Sequence, residues 1–196
     1  AAVEQLSHSL NNVGTNEIIQ PLLLGPAGIG KTELARAYGN EVARLLNCDF
    51  REFSTPGDFR LKNDWDPILE YIVNTPRFVL FIDEVHELEK GKVAHAQFLA
   101  YLRKALDRQN TGKCFQIGEF VTTFNREEKV IILGTNHPDK VDTALVSRMS
   151  KMDLQLYTNE ELEDISIRLM EKFGIARPRL AVAGLLPLSA AWTMAV

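Results

Sequence analysis

The sequence predicts an α/β fold that is built on a parallel sheet. Residues 78–82 and 130–133 are uninterrupted apolar runs, and they lack the alternation that a half-exposed strand shows. Strand-like segments also alternate along the chain with segments of helical periodicity, which is the pattern of βαβ units. Together these observations indicate strands that helices cover on both faces.

The elements of the first part of the chain follow from local patterns. A helix is predicted over Val3–Leu10, a short buried strand over "PLLLG", and a second helix from Thr32, where apolar residues recur at helical spacing. The alternating segment "CDFREFST" predicts a strand, and "WDPILEYIVN" predicts a short helix with a proline near its start. We expect a loop, Pro56–Trp65, between these two elements.

The second part of the chain continues the alternation. "RFVLFIDE" predicts a buried strand, Val93–Arg108 a long helix, and "KCFQIGEFVTTF" a β-hairpin that contains Gly118. "KVIILGTN" and "MDLQLY" predict two further fully buried strands. The last helix is predicted over Asn159–Phe173, with Thr158 or Asn159 as its capping residue and Gly174 as its stop.

Composition limits the class of protein. A content of 45% hydrophobic and 24% charged residues is typical of a soluble, globular protein. A net charge of −4 argues against a nucleic-acid footprint over the whole surface, although a local basic patch stays open. Cys48 and Cys114 lack a metal-ligand spacing and fit a reducing compartment, so we expect a cytoplasmic protein.

The two ends of the chain give no targeting signal. The first residues lack the basic and apolar regions of a secretory signal. Residues 177–196 form an apolar tail of unclear origin. Its uncharged run, Leu180–Val196, is shorter than the roughly 20 apolar residues of a membrane span and is broken by Pro187 and Ser189. No membrane contact is expected, and an anchor is the less favoured alternative.

The loop after the first strand fits the pattern G-x-x-x-x-G-K-[ST]. Its glycines let backbone N–H groups converge on an anion, and the following helix adds the partial positive charge of its N-terminus. Lys31 is predicted to reach the β- and γ-phosphates of a nucleotide, and Thr32 to bind Mg²⁺. The alternative is a glycine turn that matches by chance, and the flanking strand and helix argue against it. The predicted nucleotide-binding residues are Gly25, Pro26, Ala27, Gly28, Ile29, Gly30, Lys31, Thr32 and Glu33.

Two further strand ends, and a segment just before the last strand, carry candidate catalytic or metal-binding residues. Asp83 is predicted to hold Mg²⁺ together with Thr32, and Glu84 to act as the general base for the attacking water. Asn136 ends the strand "KVIILGTN" and is predicted to lie beside the γ-phosphate. Arg148, just before the last strand, is predicted to stabilise transition-state charge at a neighbouring subunit's site. The alternatives are solvated acids at a strand end, a plain turn at Asn136 and a surface arginine at 148.

These residues resemble those of the AAA+ ATPases, in the same order, over Asn16–Phe173. The resemblance implies a P-loop AAA+ fold with five parallel strands, helices on both faces, and a ring, usually a hexamer, with Mg-ATP between subunits. "FIDEVHEL", "YTNEELEDI" and a hairpin before the Asn136 strand are similar to the branch that includes the Holliday-junction branch-migration motor. His86 in "FIDEVHEL" is interpreted as a structural histidine. The alternative is that it couples the nucleotide site to the loop Pro56–Trp65.

The resemblance also implies a division of the chain. Residues 1–157 are expected to form the ATPase core and residues 158–176 the beginning of a truncated helical lid. No clear counterpart of the lid arginine is found in the sequence.

The expected substrate is a polymer that the ring grips with loops. The loop Pro56–Trp65 places aromatic residues beside cations, a composition that suits stacking on bases and contact with phosphates. A solvated loop, with Trp65 packed on the sheet, is the alternative. The leading hypothesis is a DNA motor, and the alternatives are a remodeller of polypeptides and an assembly switch with slow turnover.

Overall fold

The computed structural model describes residues 2–54, 71–89, 93–117 and 120–174. The loop predicted at Pro56–Trp65, most of the short helix predicted after it, and the tail from residue 177 lie outside these ranges.

A sheet of five parallel strands forms the centre of the fold and confirms the predicted fold class. The strands of this sheet are β1 (Pro21–Leu24), β2 (Asp49–Ser54), β3 (Phe78–Asp83), β6 (Lys129–Thr135) and β7 (Ser150–Asp153). Their order in the sheet is β2-β3-β6-β1-β7, and all neighbours run parallel. The register pairs Leu24 with Thr135 and Ser54 with Asp83, so the carboxyl ends of neighbouring strands meet at one edge of the sheet.

Helices cover both faces of this sheet, as the unbroken apolar runs predict. The helices of the part of the chain up to residue 156 are α1 (Ala2–Ser9), α2 (Lys31–Leu46), α3 (Val93–Ala105) and α4 (Thr143–Val146), and residues 71–74 are also helical. A further helix, α5 (Asn159–Lys172), belongs to a second unit. On one face, Leu80 and Ile131 pack in a cluster with Tyr101 of α3. On the other face, Val79 and Ile132 pack with Val42 of α2. Consecutive residues of β3 and β6 therefore point into opposite cores, which explains why these strands lack alternation.

The prediction of a fully buried last strand was wrong in kind and in position. The strand begins at Ser150 rather than Met152, and only Met152 is buried among its residues. β7 pairs with β1 and is the last strand of the sheet, with no further strand beside it among the residues that the structure describes. A short apolar–polar segment at the edge of a sheet needs less burial than a central strand.

A hairpin precedes β6, as the sequence predicts. Strands β4 (Cys114–Ile117) and β5 (Phe120–Thr123) pair antiparallel, with Cys114 opposite Thr123. Buried Arg126 follows the hairpin and donates hydrogen bonds to the backbone carbonyls of Ile18 and Leu106. This contact ties the hairpin's return segment to the sheet domain.

The first compact unit is Ala1–Leu156, and a second begins at Tyr157. Within the second unit, α5 begins with a capping box in which Thr158 and Glu161 exchange side-chain to backbone hydrogen bonds. Its Leu162, Leu169 and Phe173 are exposed. In the described part of the chain, no helix has both the length and the apolar character needed to cross a bilayer.

Candidate functional site

The loop between β1 and α2 folds around the amino group of Lys31. The Lys31 Nζ donates hydrogen bonds to the carbonyl oxygens of Gly25, at 2.8 Å, and Pro26, at 2.7 Å. The residue is buried, which is rare for a lysine and needs such compensation. The loop therefore holds one positive charge at its centre.

The loop's backbone is shaped to converge on an anion. Gly28 and Gly30 have φ angles of +77° and +87°, in the left-handed region that residues with a side chain rarely adopt. Gly30 is also the N-cap of α2, so the free N–H groups of the first turn open toward the loop. Ile29, between Gly28 and Gly30 in the loop, has a buried side chain. Backbone N–H groups and a helix N-terminus together favour phosphate.

Thr32 and Asp83 meet across this loop and the end of β3. The Thr32 hydroxyl donates a hydrogen bond to Oδ2 of Asp83 at 2.8 Å, although the residues are 51 positions apart. Oδ1 of Asp83 accepts the backbone N–H of Glu84 at 2.9 Å. Hydroxyl and carboxylate oxygens are the ligands that Mg²⁺ prefers.

No group of three or more His, Cys, Asp or Glu side chains able to hold a metal ion occurs in the described ranges. A hydroxyl and one carboxylate fit a different arrangement, in which Mg²⁺ keeps water and substrate phosphates as its other ligands. The donor set therefore fits Mg²⁺ together with a nucleotide better than it fits a metal bound by protein alone.

Glu84 is held in an unusual backbone conformation. Its φ is +54°, a value that is uncommon for a residue with a side chain and that clusters at functional sites. The Glu84 carbonyl accepts the N–H of Glu87 at 2.9 Å, which starts the 3₁₀ turn Val85–Glu89. The strand thus turns sharply after Asp83, and Glu84 becomes part of the cleft wall.

These elements enclose a cleft of about 320 Å³. It brings together most of the predicted loop residues and both predicted acids. The cleft is lined by Ala27, Gly28, Gly30, Lys31, Thr32, Glu33, Asp83 and Glu84. The exposed carboxylate of Glu33 also pairs with Arg36 at 2.6 Å. A larger groove, of about 930 Å³, lies between α1 and β7 and includes none of the predicted site residues.

Asn136 and Arg148 are not among the residues that line the cleft. Oδ1 of Asn136, which follows β6, is buried and has no hydrogen-bond partner in the described part of the chain. Arg148 follows α4, where its guanidinium donates to the carbonyl of Ala144 at 2.7 Å and to Oδ2 of Asp107 at 3.2 Å. About a third of the Arg148 side chain is exposed. Arg148 therefore lies outside the cleft of its own chain, and its guanidinium is held by Ala144 and Asp107.

Two features near the site were missed from the sequence. A Cβ atom at Gly134 would lie 2.9 Å from Oδ1 of Asp83, so this glycine makes room for the carboxylate. A glycine inside an apolar strand is a signal for such close approach, and "VIILGTN" carries it. His86 is buried and contacts Glu84 and Thr135, and no local pattern indicates those contacts.

Comparison with known proteins decides the family. The ATPase family associated with various cellular activities (AAA) matches residues 21–159. The chain belongs to the AAA family. This assignment confirms the predicted family, the α/β fold and the class of enzyme, an ATPase that binds ATP.

The AAA domain is similar to several named proteins. It is 33% identical over 141 residues to the ATP-dependent zinc metalloprotease YME1L1 of Mus musculus, with 69% of this chain covered. It is 26% identical over 179 residues to the Holliday junction branch migration complex subunit RuvB of Leuconostoc mesenteroides, with 89% covered. A solved RuvB variant of Thermotoga maritima superposes on 87% of the chain with a TM-score of 0.63 and 25% identity.

The AAA domain is shorter than these relatives. It spans 18% of the YME1L1 protein, 44% of the RuvB subunit and 50% of the solved RuvB chain. The match to the RuvB subunit of Leuconostoc mesenteroides extends over more of this chain than the YME1L1 match does, which agrees with the predicted likeness to the Holliday-junction branch.

Proposed function

We propose that this AAA domain binds Mg-ATP in the cleft between the Gly25–Thr32 loop and the end of β3, and hydrolyses it within a ring of subunits that acts on DNA. The observation that carries the proposal is the 2.8 Å contact between Thr32 and Asp83. It joins the nucleotide loop to the acid pair, which is the arrangement that phosphoryl transfer requires.

The residues present fit both ATP and Mg²⁺. The left-handed glycines open the loop to phosphate, and Lys31 supplies a cation beside it. Thr32 and Asp83 would hold Mg²⁺ through oxygen atoms. When bound, Mg²⁺ neutralises the charge of the phosphate oxygens and orients them.

Hydrolysis then depends on how the chain positions water. Glu84 lines the cleft directly after Asp83, so its carboxylate is placed to accept a proton from an attacking water. The buried Oδ1 of Asn136 lacks a described partner, so it is available to a ligand such as that water. In place of the carbonyl oxygens that Lys31 contacts here, its ammonium would bind phosphate.

Arg148 is proposed to act at the site of a neighbouring subunit. It lies outside its own cleft, yet contacts to Ala144 and Asp107 keep its guanidinium in a defined orientation. An arginine supplied in trans can stabilise transition-state charge and raise the rate by about 10³- to 10⁵-fold. This role requires an oligomer, and a homo-hexameric ring is the form we propose.

DNA is proposed as the substrate because the likeness to a RuvB subunit extends over most of the chain. It covers 89% of the sequence for that relative and 87% of the chain for a solved structure. That relative belongs to the Holliday junction branch migration complex, and a Holliday junction is a DNA structure. The loop Pro56–Trp65, predicted to contact the polymer, lies outside the described residues and stays a prediction.

A second candidate is an ATPase that remodels polypeptides. The YME1L1 match favours it, because its identity of 33% over 141 residues is higher than that of the longer RuvB match.

A third candidate, an assembly switch with slow turnover, would use ATP binding without rapid hydrolysis. The presence of both Glu84 and Arg148 favours turnover over such a switch.

The domain boundaries stay part of the proposal. Residues 1–157 are proposed as the ATPase core and 158–176 as the start of a helical lid. The exposed Leu162 and Leu169 of α5, and Phe173 directly after it, support the lid assignment, since an apolar stripe at helical spacing packs against further helices in a complete lid. The tail at 177–196 and a cytoplasmic location remain predictions.

The test is the ATPase rate of the purified chain with a panel of polymers, namely single-stranded DNA, duplex DNA, a four-way DNA junction, RNA and an unfolded polypeptide. The proposal predicts stimulation by DNA and loss of the rate in Glu84→Gln. Stimulation by polypeptide alone supports the second candidate. ATP-driven assembly with the same slow rate in wild type and Glu84→Gln supports the third.

A further inference from the structure

His86 is a buried residue beside the cleft that the proposed mechanism does not use. It lies in the 3₁₀ turn after β3, three positions beyond Asp83, and only about 5% of it is exposed. A polar ring buried this deeply needs partners for its nitrogen atoms. Each of its two nitrogens contacts a side chain that lies either at the carboxyl end of a neighbouring strand or in the segment that follows β3.

Nδ1 of the ring lies between Glu84 and the end of β6. It is 3.0 Å from Oγ1 of Thr135 and 3.2 Å from Oε2 of Glu84. Thr135 is fully buried, and its hydroxyl also accepts the backbone N–H of His137 at 3.0 Å. The ring therefore joins the Glu84 carboxylate to the strand end that carries Asn136.

Nε2 of the ring contacts a second carboxylate, Oε1 of Glu87, at 3.1 Å. The ring of His137 packs against the same imidazole at a centroid distance of 4.7 Å, in an edge-to-face arrangement. The approach of Nδ1 to Glu84 is a charge contact rather than an aligned hydrogen bond, whereas the contact of Nδ1 with Thr135 has hydrogen-bond geometry. Since a carboxylate oxygen only accepts hydrogen bonds, the contacts with Glu84 and Glu87 are favourable when the facing nitrogen carries a proton. The ring is thus fixed from three sides and is suited to hold another side chain in place.

Oε2 of Glu84 is buried, while the side chain as a whole is about 30% exposed and lines the cleft. One carboxylate oxygen is therefore turned inward to the imidazole. We propose that His86 is a positioning residue, which fixes the Glu84 carboxylate by this inward oxygen and keeps it in register with Thr135 and Asn136. The proposal rests on the proposed role of Glu84 as general base.

Two substitutions separate this role from a structural one. The amide nitrogen of asparagine lies as many bonds from Cβ as Nδ1 does, and that of glutamine as many as Nε2. His86→Asn therefore keeps a donor toward Glu84 and Thr135, whereas His86→Gln keeps a donor toward Glu87 alone. If His86 only fills space or holds Glu87, the glutamine variant is the milder one.

The experiment measures kcat and KM for ATP in both variants, with the exposed residue His8 changed to Gln as the control. We expect His86→Gln to lose about ten- to a hundredfold in kcat with KM within about twofold, because a general base typically supplies about 10²- to 10⁴-fold. His86→Asn should retain most of the rate. Equal losses in both variants, a greater loss in His86→Asn, or an unchanged or higher rate in His86→Gln would overturn the proposal.

A double-mutant cycle shows whether His86 acts through Glu84. We expect Glu84→Gln combined with His86→Gln to have the same rate as Glu84→Gln alone, because residues that act as one unit are not additive. Multiplicative losses would refute the positioning role.

The single variants show which of the two proposals fails. If Glu84→Gln keeps the wild-type rate, the proposed function itself fails. If Glu84→Gln is inactive and the His86 variants are normal, only the positioning role fails.

Discussion

Replacing Gly134 by alanine tests the geometry around Asp83 without removing any catalytic group. A Cβ atom there would lie 2.9 Å from Oδ1 of Asp83 and 3.2 Å from Cε2 of the fully buried Phe81. Overpacking of this kind costs about 1–3 kcal/mol, and the reduced entropy of the unfolded chain offsets about 0.4–1 kcal/mol. We expect the free energy of unfolding to fall by about 1–2 kcal/mol, or Tm by roughly 2–8 °C.

The carboxylate is expected to move more than the buried ring, because it lies at the end of a side chain facing the cleft. Moving the carboxylate away from the Thr32 hydroxyl would misplace one of the two predicted Mg²⁺ ligands, and a loss of about 1 kcal/mol in cation binding raises the Mg²⁺ concentration for half-maximal ATPase rate about fivefold. The assays are thermal unfolding and ATPase rate against Mg²⁺ concentration. A lower Tm with unchanged Mg²⁺ dependence would refute the reasoning.

Gly39→Ala is the matched control. Gly39 lies on α2, and a Cβ atom there would be 2.3 Å from the ring of Phe50, with no atom of Asp83 among its nearest neighbours. This variant should lose stability for the same steric reason. Its Mg²⁺ dependence should match that of the wild type, and a shift as large as that of Gly134→Ala would show that the cation effect follows from destabilisation alone.

Three further changes test separate parts of the site. Lys31→Ala should abolish ATP binding in titration calorimetry, since it removes the loop's cation, and binding within about threefold of wild type would contradict that role. Arg148→Ala should bind ATP without hydrolysing it, and mixing it with Glu84→Gln should partly restore the rate; no recovery would count against a shared active site. The backbone N–H of Gln109, and secondarily Arg148, lower the pKa of Asp107. Because this folded-state pKa is lower than that of the unfolded chain, the stabilisation is lost as the pH falls below about 4. Asp107→Asn should therefore lower Tm at pH 7 and flatten the acid side of the Tm profile, and an unchanged profile would contradict the assignment.

Local patterns were sufficient for the central strands and the nucleotide loop. β3 and β6 are buried on both faces, so their apolar runs were direct signals, and the loop between β1 and α2 is continuous in sequence. The hairpin was also readable, because its alternation surrounds a glycine. β7 was misjudged because a sequence pattern does not report whether a strand lies at the centre or the edge of a sheet.

Tertiary contacts explain what the sequence did not reveal. His86 is near Thr135 only because β3 and β6 are neighbours in the sheet, so its bridging position depends on strand order. Asp107 contacts Arg148, 41 positions further along the chain, and no local pattern indicates a contact between residues so far apart. The steric need for Gly134 arises from the facing Asp83, and nothing local to Gly134 specifies that carboxylate. Residue types were therefore predictable where the signal was local, and contacts were not.

The position of the cation tests the central claim most directly. Crystals grown with Mn²⁺ and a non-hydrolysable ATP analogue would locate the ion by its anomalous scattering. We expect a single peak beside the Thr32 hydroxyl and the Asp83 carboxylate, with the analogue's phosphates over the Gly25–Thr32 loop. A well-ordered analogue with its metal bound elsewhere, away from Asp83, would contradict the account.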